Sequence, residues 1–183
     1  MDPALPSALR AAIDQALEGQ ARGGLGRRAA ALSEGYRRGR PSSALVHGSD
    51  DALAYALTRT PATYAAVRRA LEETLARAPG FRPSDLLDAG AGPGGAGWAA
   101  LDALPDLGAV TRLDHSPAFL DLARTLAAGS TGPLAAAKSL QADLSAEAVD
   151  IPSADLVIAA YALAELSLDR LPGAVKRLWA APG

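Results

Sequence analysis

The sequence predicts an α/β fold, a doubly wound, Rossmann-like parallel sheet that is preceded by an α-helical N-terminal extension. An apolar segment at 85–89 runs directly into a glycine-rich turn at 90–95, which is typical of a first strand that feeds a helix N-terminus. Short apolar segments then alternate with helical apolar stripes, the order expected of a sheet covered by helices. The continuous apolar run at 155–160 indicates a strand buried on both faces.

The first 80 residues predict helices and no strand. Apolar residues recur there at helical spacing, and Thr60-Pro61 is a typical start of a new helix, with Thr as the cap and Pro in the first turn. The predicted helices span about 4–20, 26–38, 49–57 and 61–78. We therefore divide the chain into a helical extension, residues 1–80, and a sheet domain, residues 81–183.

The sheet domain predicts four strands in the order 3-2-1-4. Its strands are expected near 85–89, 109–113, 137–142 and 155–160, with helices at about 95–104, 116–127 and 169–180. In this order the apolar fourth strand is left as a bare edge, which is an aggregation hazard. We expect either that the chain is the amino-terminal portion of a longer protein, incomplete at the C-terminus of the sheet, or that a partner covers this edge.

Composition excludes several classes of site. The chain has no cysteine, so it cannot form a disulfide, a thiolate metal site or a cysteine nucleophile. Its two histidines, His47 and His115, are far apart in sequence and do not suggest a metal site. No signal peptide or apolar segment of bilayer-spanning length is present, and we predict a cytoplasmic protein without a membrane partner.

Charge is distributed unevenly along the chain. Residues 1–82 contain 12 arginines and 8 acids, whereas residues 83–183 contain 6 basic and 12 acidic residues. A basic first half is compatible with an anionic macromolecular partner. The alternative is an ordinary solvated surface in a chain that is generally rich in arginine.

Three carboxylates follow or end three successive predicted strands. The turn at 90–95 satisfies G-x-G-x-x-G, which by itself also allows a dinucleotide. Asp88, however, is unusual in a dinucleotide strand, and it can hold the glycine loop or accept a hydrogen bond from a cationic amino group. Asp114 is placed to bind ribose hydroxyls, and Asp143 to accept from an adenine amine. Together they predict a site for S-adenosylmethionine.

At this point the sequence resembles a known family. Residues 86–94, Leu-Leu-Asp-Ala-Gly-Ala-Gly-Pro-Gly, resemble motif I of the class I S-adenosylmethionine-dependent methyltransferases. More narrowly, the chain resembles the methyltransferase-like proteins associated with the small ribosomal subunit of bacteria and mitochondria. The segments that carry this narrower resemblance are 31–37, 61–67, 113–117 and 161–166.

The resemblance implies a class I methyltransferase fold, a ribosomal RNA or small-subunit partner, and a role in ribosome assembly or translation. It also implies a carboxy-terminal portion whose cysteines hold an iron–sulfur cluster, and this chain has no such cysteines. The expected cofactor-binding residues are Asp88, Gly90, Ala91, Gly92, Gly94, Asp114, His115, Asp143 and Tyr161.

Catalytic residues are not identified by the sequence. Tyr161 is a candidate for stacking on a base or on the cofactor, or for simple packing, and Glu165 is a candidate for a base or a structural anchor. His115 is expected to line the adenosine site without catalysing a step. Two alternatives to a methyltransferase remain: a non-catalytic assembly or translation factor that keeps the fold, and a fragment of a nucleotide-dependent oxidoreductase.

Overall fold

The structure is a computed structural model that describes residues 4–20 and 22–181. Three helices come first and are followed by four strands, with α-helices after the first, second and fourth strands. The helices are α1 (Ser7–Leu17), α2 (Arg22–Arg37), α3 (Ser49–Arg77), α4 (Gly95–Ala103), α5 (Pro117–Ala127) and α6 (Leu171–Trp179). The strands are β1 (Asp85–Ala89), β2 (Ala109–Asp114), β3 (Lys138–Gln141) and β4 (Leu156–Ile158). Short 3-10 turns occur at Ser42–Ala44, Gly132–Leu134 and Ala162–Glu165.

The four strands form one parallel sheet in the order β3-β2-β1-β4, which confirms the predicted order. Leu87 in the middle of β1 lies beside Thr111 of β2 and Val157 of β4. Because all four strands run in the same direction, their carboxyl ends meet at one edge of the sheet. The glycine turn and the ends of β2 and β3 are therefore brought together there.

Strand β4 differs from the prediction. It has three residues instead of six, and each of them is only partly buried, so the prediction of a strand buried on both faces is wrong. The reason is its position, because among the described residues β4 pairs only with β1. Helix α6, which follows it, buries Leu178 but leaves Trp179 86% exposed.

Helix α3 also differs from the prediction, because it is one continuous helix of 29 residues with Pro61 inside it. Thr60 and Pro61 do not begin a new helix. A proline inside a helix costs about 3 kcal/mol, since it removes one N–H and crowds the preceding turn. Burial of Leu53 on one side of Pro61 and of Tyr64 on the other offsets this cost by a comparable amount.

Helix α3 lies directly against α4, the helix that follows the glycine turn. A Cβ built on Gly95, the first residue of α4, would lie 3.2 Å from Thr60 Cγ2, so the missing side chain permits this close approach. Tyr64 donates a 2.6 Å hydrogen bond to Asp102 of α4. One hydrophobic core joins Leu9 of α1 with Trp98 of α4. The division into a helical extension and a sheet domain stays a prediction.

None of the helices within residues 4–20 and 22–181 combines the length and the apolarity that crossing a membrane requires.

Candidate functional site

The glycine turn after β1 is pinned to the neighbouring strand. The backbone N–H groups of Gly90 and Ala91 both donate to the carbonyl of Leu113, at 2.7 and 3.0 Å. Gly90 (φ 72°), Gly92 (φ 52°) and Gly94 (φ 85°) have left-handed backbone, a conformation that residues with a Cβ adopt only at a cost. The turn therefore depends on glycine.

A cavity of about 440 Å³ opens over this turn, within the range of small-molecule sites. Six of the nine predicted cofactor-binding residues line it. These are Gly90, Gly92, Asp114, His115, Asp143 and Tyr161. The other three, Asp88, Ala91 and Gly94, are buried and lie outside the cavity lining.

Asp114 ends β2 and holds the cavity floor together. One carboxylate oxygen accepts from the N–H of Gly92 and the other from the N–H of Ser116, each at 2.8 Å. The Ser116 hydroxyl in turn caps α5 by accepting from the N–H of Phe119, as the sequence predicted for the start of this helix. Because each carboxylate oxygen has a second lone pair, Asp114 can accept further hydrogen bonds from the cavity side.

Asp88 supports the site from behind. Its side chain is only 1% exposed, and one carboxylate oxygen accepts from the N–H of Gly97 in the first turn of α4, at 3.2 Å. Burial raises the pKa of Asp88 to about 7, and the Gly97 N–H and the buried Arg112 guanidinium oppose this rise. Asp88 therefore contacts the first turn of the helix that follows the glycine turn, and this contact is not to the turn itself.

The far wall of the cavity includes Asp143, just beyond β3. Its carboxylate accepts from the N–H of Ser145 at 2.8 Å. Burial acts to raise the pKa of Asp143, but the hydrogen bonds from Ser145 and the nearby His115 bring it below its ordinary value. An ionised acceptor therefore stands beside the cavity at neutral pH.

Glu165 joins the helical extension to the turn that covers the cavity. Its carboxylate accepts from the N–H of Ser42 at 2.8 Å and from the Ser42 hydroxyl at 2.5 Å. The Tyr36 hydroxyl donates to it at 3.5 Å. Tyr161, just before this turn, has a positive φ of 64° and a side chain that is 59% exposed.

Sequence reasoning missed the residues that the extension contributes to the cavity. Pro41, Ser42 and Tyr55 line it, and so does Phe119 of α5. The Tyr55 and Phe119 ring centres lie 4.8 Å apart. No local motif marks these residues, because they reach the site only when α2 packs on α3 and α3 packs on α4 and α5.

Several arginines predicted as a basic surface are paired with carboxylates. Arg28 contacts Asp50 and Asp51 at 3.2 and 2.7 Å, and Arg38 contacts Glu34 at 2.9 Å. Such exposed pairs are weak, but they reduce the net charge of the α2 surface.

Within the described ranges, no group of three or more His, Asp or Glu side chains is placed to hold a metal ion.

Comparison of the fold with solved structures finds several methyltransferases that are similar to this chain. An O-methyltransferase family protein from Burkholderia thailandensis is 16% identical, with a TM-score of 0.67 over 88% of this chain and 50% of that one. A putative S-adenosyl-L-methionine-dependent methyltransferase from Methanococcus maripaludis is 18% identical, with a TM-score of 0.54 over 74% of this chain and 59% of that one. The plantazolicin methyltransferase BpumL, solved with a triazolic desmethylPZN analog and SAH, is 17% identical, with a TM-score of 0.52 over 70% and 46%.

The chain therefore spans about half the length of these structures, and identities this low establish the fold alone. No curated protein sequence matches the chain significantly. A family model described as "Mitochondrial small ribosomal subunit Rsm22" matches residues 49–182, which is well over half of the chain. With a class I methyltransferase fold and this match, the chain belongs to the Rsm22 family.

Proposed function

We propose that this chain binds S-adenosylmethionine and acts as a methyltransferase-like protein on or with the RNA of the small ribosomal subunit. The observation that carries the proposal is the cavity at the carboxyl edge of β1 and β2, where left-handed glycines meet the Asp114 carboxylate. The family description, which names the mitochondrial small ribosomal subunit, supports the ribosomal partner.

The lining suggests a role for each wall of the cavity. Gly90 and Gly92 line the cavity without a side chain, so their backbone is open to close approach by a ligand. A Cβ on Gly90 would meet Ala162, and one on Gly92 would approach Tyr55, both of which also line the cavity. The free lone pairs of Asp114 are suited to ribose hydroxyls. Asp143 is suited to an exocyclic adenine amine, and Tyr55 contributes an aromatic ring to the lining of the same cavity. Asp88 is assigned to the support of the first turn of α4 rather than to ligand contact.

Two functions are compatible with this site, methyl transfer and cofactor binding without transfer. Methyl transfer from a sulfonium requires alignment of donor and acceptor and, for some acceptors, a base. Glu165 lines the cavity, but its oxygens already accept from Ser42 and Tyr36. These contacts favour an anchor, and they support the second candidate, a factor that binds the cofactor and the ribosome without transferring a methyl group.

Cofactor binding is tested by calorimetric titration of the purified chain with S-adenosylhomocysteine, with NADH as the competing ligand class. We expect binding of S-adenosylhomocysteine, its loss in Asp114→Ala, and no binding of NADH. Asp121→Ala is the matched control, because Asp121 is an exposed carboxylate on α5 that pairs with Arg124. Thermal melting of each variant checks that it is folded.

The result also separates the candidate functions. NADH binding without S-adenosylhomocysteine binding would revive the oxidoreductase alternative. If S-adenosylhomocysteine binds, transfer of a labelled methyl group to isolated small-subunit RNA distinguishes an enzyme from a binding factor. Failure of a folded chain to bind either ligand would contradict the proposal. The cytoplasmic location and a partner along the β4 edge stay predictions.

A further inference from the structure

A second cavity, which we call the outer pocket, adjoins the cofactor cavity and has a volume of about 800 Å³. The two cavities share Tyr55, Tyr161 and Glu165 as lining residues. The outer pocket extends from this shared wall toward α2 and the first half of α3. A ligand in it would therefore reach the place where the proposed cofactor ends.

Three tyrosines line the outer pocket, Tyr36, Tyr55 and Tyr161. The Tyr36 and Tyr55 rings lie edge to face, with centres 5.9 Å apart. Burial raises the pKa of both tyrosines, so both are neutral. Tyr161 is the exposed one of the three, at 59%, although its backbone has a positive φ. Strained backbone at a ligand site is a recurrent feature of proteins.

The same pocket is positively charged. Arg37, Arg40 and Arg59 line it. Arg37 is paired with Glu34 at 2.8 Å, so the charge of the pocket comes from Arg40 and Arg59, against one carboxylate in the lining, Glu165. The Arg59 guanidinium lies 4.7 Å from the centre of the Tyr36 ring, a contact that orients the group without neutralising its charge. Arg40 donates to the carbonyl of Ala44. Because a carbonyl is neutral, this contact does not compensate the charge of Arg40.

Aromatic faces beside fixed guanidinium groups match a planar base that carries a phosphate. Single-stranded RNA is bound in this way, by stacking of unpaired bases on aromatic rings and by Arg contacts to the backbone. A concave pocket of this size admits one unstacked nucleotide and excludes a duplex. We propose that the outer pocket receives a single unpaired nucleotide of an RNA strand, with its base against Tyr161 and its phosphate at Arg59 and Arg40.

This inference rests on the proposed function and names the chemical class that the site accepts. In the arrangement proposed, the base points toward the wall that the two cavities share, and the strand leaves over the α2 side. Tyr161 supplies stacking and Arg59 supplies charge, so substitution of the two residues should have different signatures.

The test is fluorescence anisotropy with a short, labelled RNA single strand, measured with and without S-adenosylhomocysteine over a series of salt concentrations. Tyr161→Ala should raise the Kd about 5- to 150-fold, the range for loss of one stacked base, and Tyr161→Phe should bind like the wild type. Arg59→Gln should weaken binding and lower the slope of log Kd against log salt by about 0.7, as expected for one lost phosphate contact to a single strand.

Two matched controls are available. Trp179→Ala removes an aromatic side chain that is 86% exposed on α6, outside the pocket. Arg69→Gln removes the same charge from α3 at an exposed pair with Glu73. Both variants should retain wild-type RNA affinity and salt dependence, and thermal melting confirms that all variants are folded.

The proposal is overturned if RNA does not bind, or if Tyr161→Ala and Arg59→Gln bind like the two controls. Equal competition by a free mononucleotide or by an acidic peptide would also overturn it, because either result would remove the RNA strand as the ligand. Calorimetry with S-adenosylhomocysteine is independent of these results. It can succeed while the outer pocket fails, or fail while RNA binding still depends on Tyr161 and Arg59.

Discussion

Substitution of Gly90 tests whether the glycine turn and the turn at Ala162–Glu165 form one site. A Cβ added at Gly90 would lie 2.3 Å from the Ala162 Cβ, whereas carbon atoms in contact are about 3.5–4.0 Å apart. The left-handed backbone of Gly90, with φ of 72°, adds a cost of about 1–2 kcal/mol for any residue with a Cβ. In Gly90→Ala, Ala162 must therefore move by more than 1 Å, roughly, to restore that contact distance.

Gly132 is a matched control, because it has the same φ of 72° and nothing within 4 Å of its added Cβ. Gly132→Ala should cost only the left-handed backbone term, about 1–2 kcal/mol. Gly90→Ala should cost about 1–3 kcal/mol more, the usual penalty for overpacking. Urea denaturation measures both differences.

The binding readout separates the two variants further. Gly90→Ala should also abolish S-adenosylhomocysteine binding, because the displaced turn carries Tyr161 and Glu165 at the cavity mouth. Gly132→Ala should bind like the wild type, since Gly132 lies outside the cavity lining. Equal stability losses in the two variants would show that Ala162 does not pack on Gly90, and would refute this account of the site.

Two further substitutions test the buried Asp88 and the exposed Pro61 inside α3. Burial raises the pKa of Asp88 in the folded state from about 4 to about 7. The contribution of Asp88 to stability is therefore fully present below about pH 4 and is lost as the pH rises through about 7. The free energy of unfolding should fall by up to about 4 kcal/mol over this range. Asp88→Asn cannot ionise, so urea unfolding over this pH range should show a decline in the wild type that the variant lacks; parallel profiles would contradict the assigned pKa. Pro61→Ala should stabilise the chain by about 1–2 kcal/mol. The substitution restores a helical N–H and removes an exposed ring, and the greater entropy of the unfolded chain without proline reduces this gain. A loss of stability would show that α3 needs the proline.

Features encoded by neighbouring residues could be predicted from the sequence. Strand β1 and its glycine turn were predictable because apolar residues, a carboxylate and left-handed glycines follow each other within a few positions. The start of α5 near residue 116 was predictable for the same reason. Asp114 and Asp143 were identified from strand ends alone, since parallel strands bring their carboxyl ends to one edge.

Features that depend on distant contacts could not be predicted in this way. The length of α3 is one example, because the local signal at Thr60-Pro61 indicates a helix start, while burial on both sides of the proline keeps the helix continuous. The contact of Ser42 with Glu165 is another, since the two residues are 123 positions apart. The direction of the Asp88 side chain, toward α4 or toward the ligand site, also depends on packing. The sequence position of Asp88 in β1 is the same in either case.

The continuity of α3 links the two cavities to the glycine turn. Tyr55 and Arg59 reach the outer pocket from the same helix that, one residue later, places Thr60 against Gly95 at the start of α4. A helix that ended at Leu57, as the local sequence suggests, would leave Arg59 in a connecting segment and would free its position relative to α4. Because a continuous helix fixes each residue by a rise of about 1.5 Å, the aromatic and basic wall of the outer pocket is held in register with the turn proposed to bind the cofactor. Helix α3 therefore contributes to both proposed sites through Tyr55, and the methyl donor and the RNA nucleotide, where both bind, would contact the same helix.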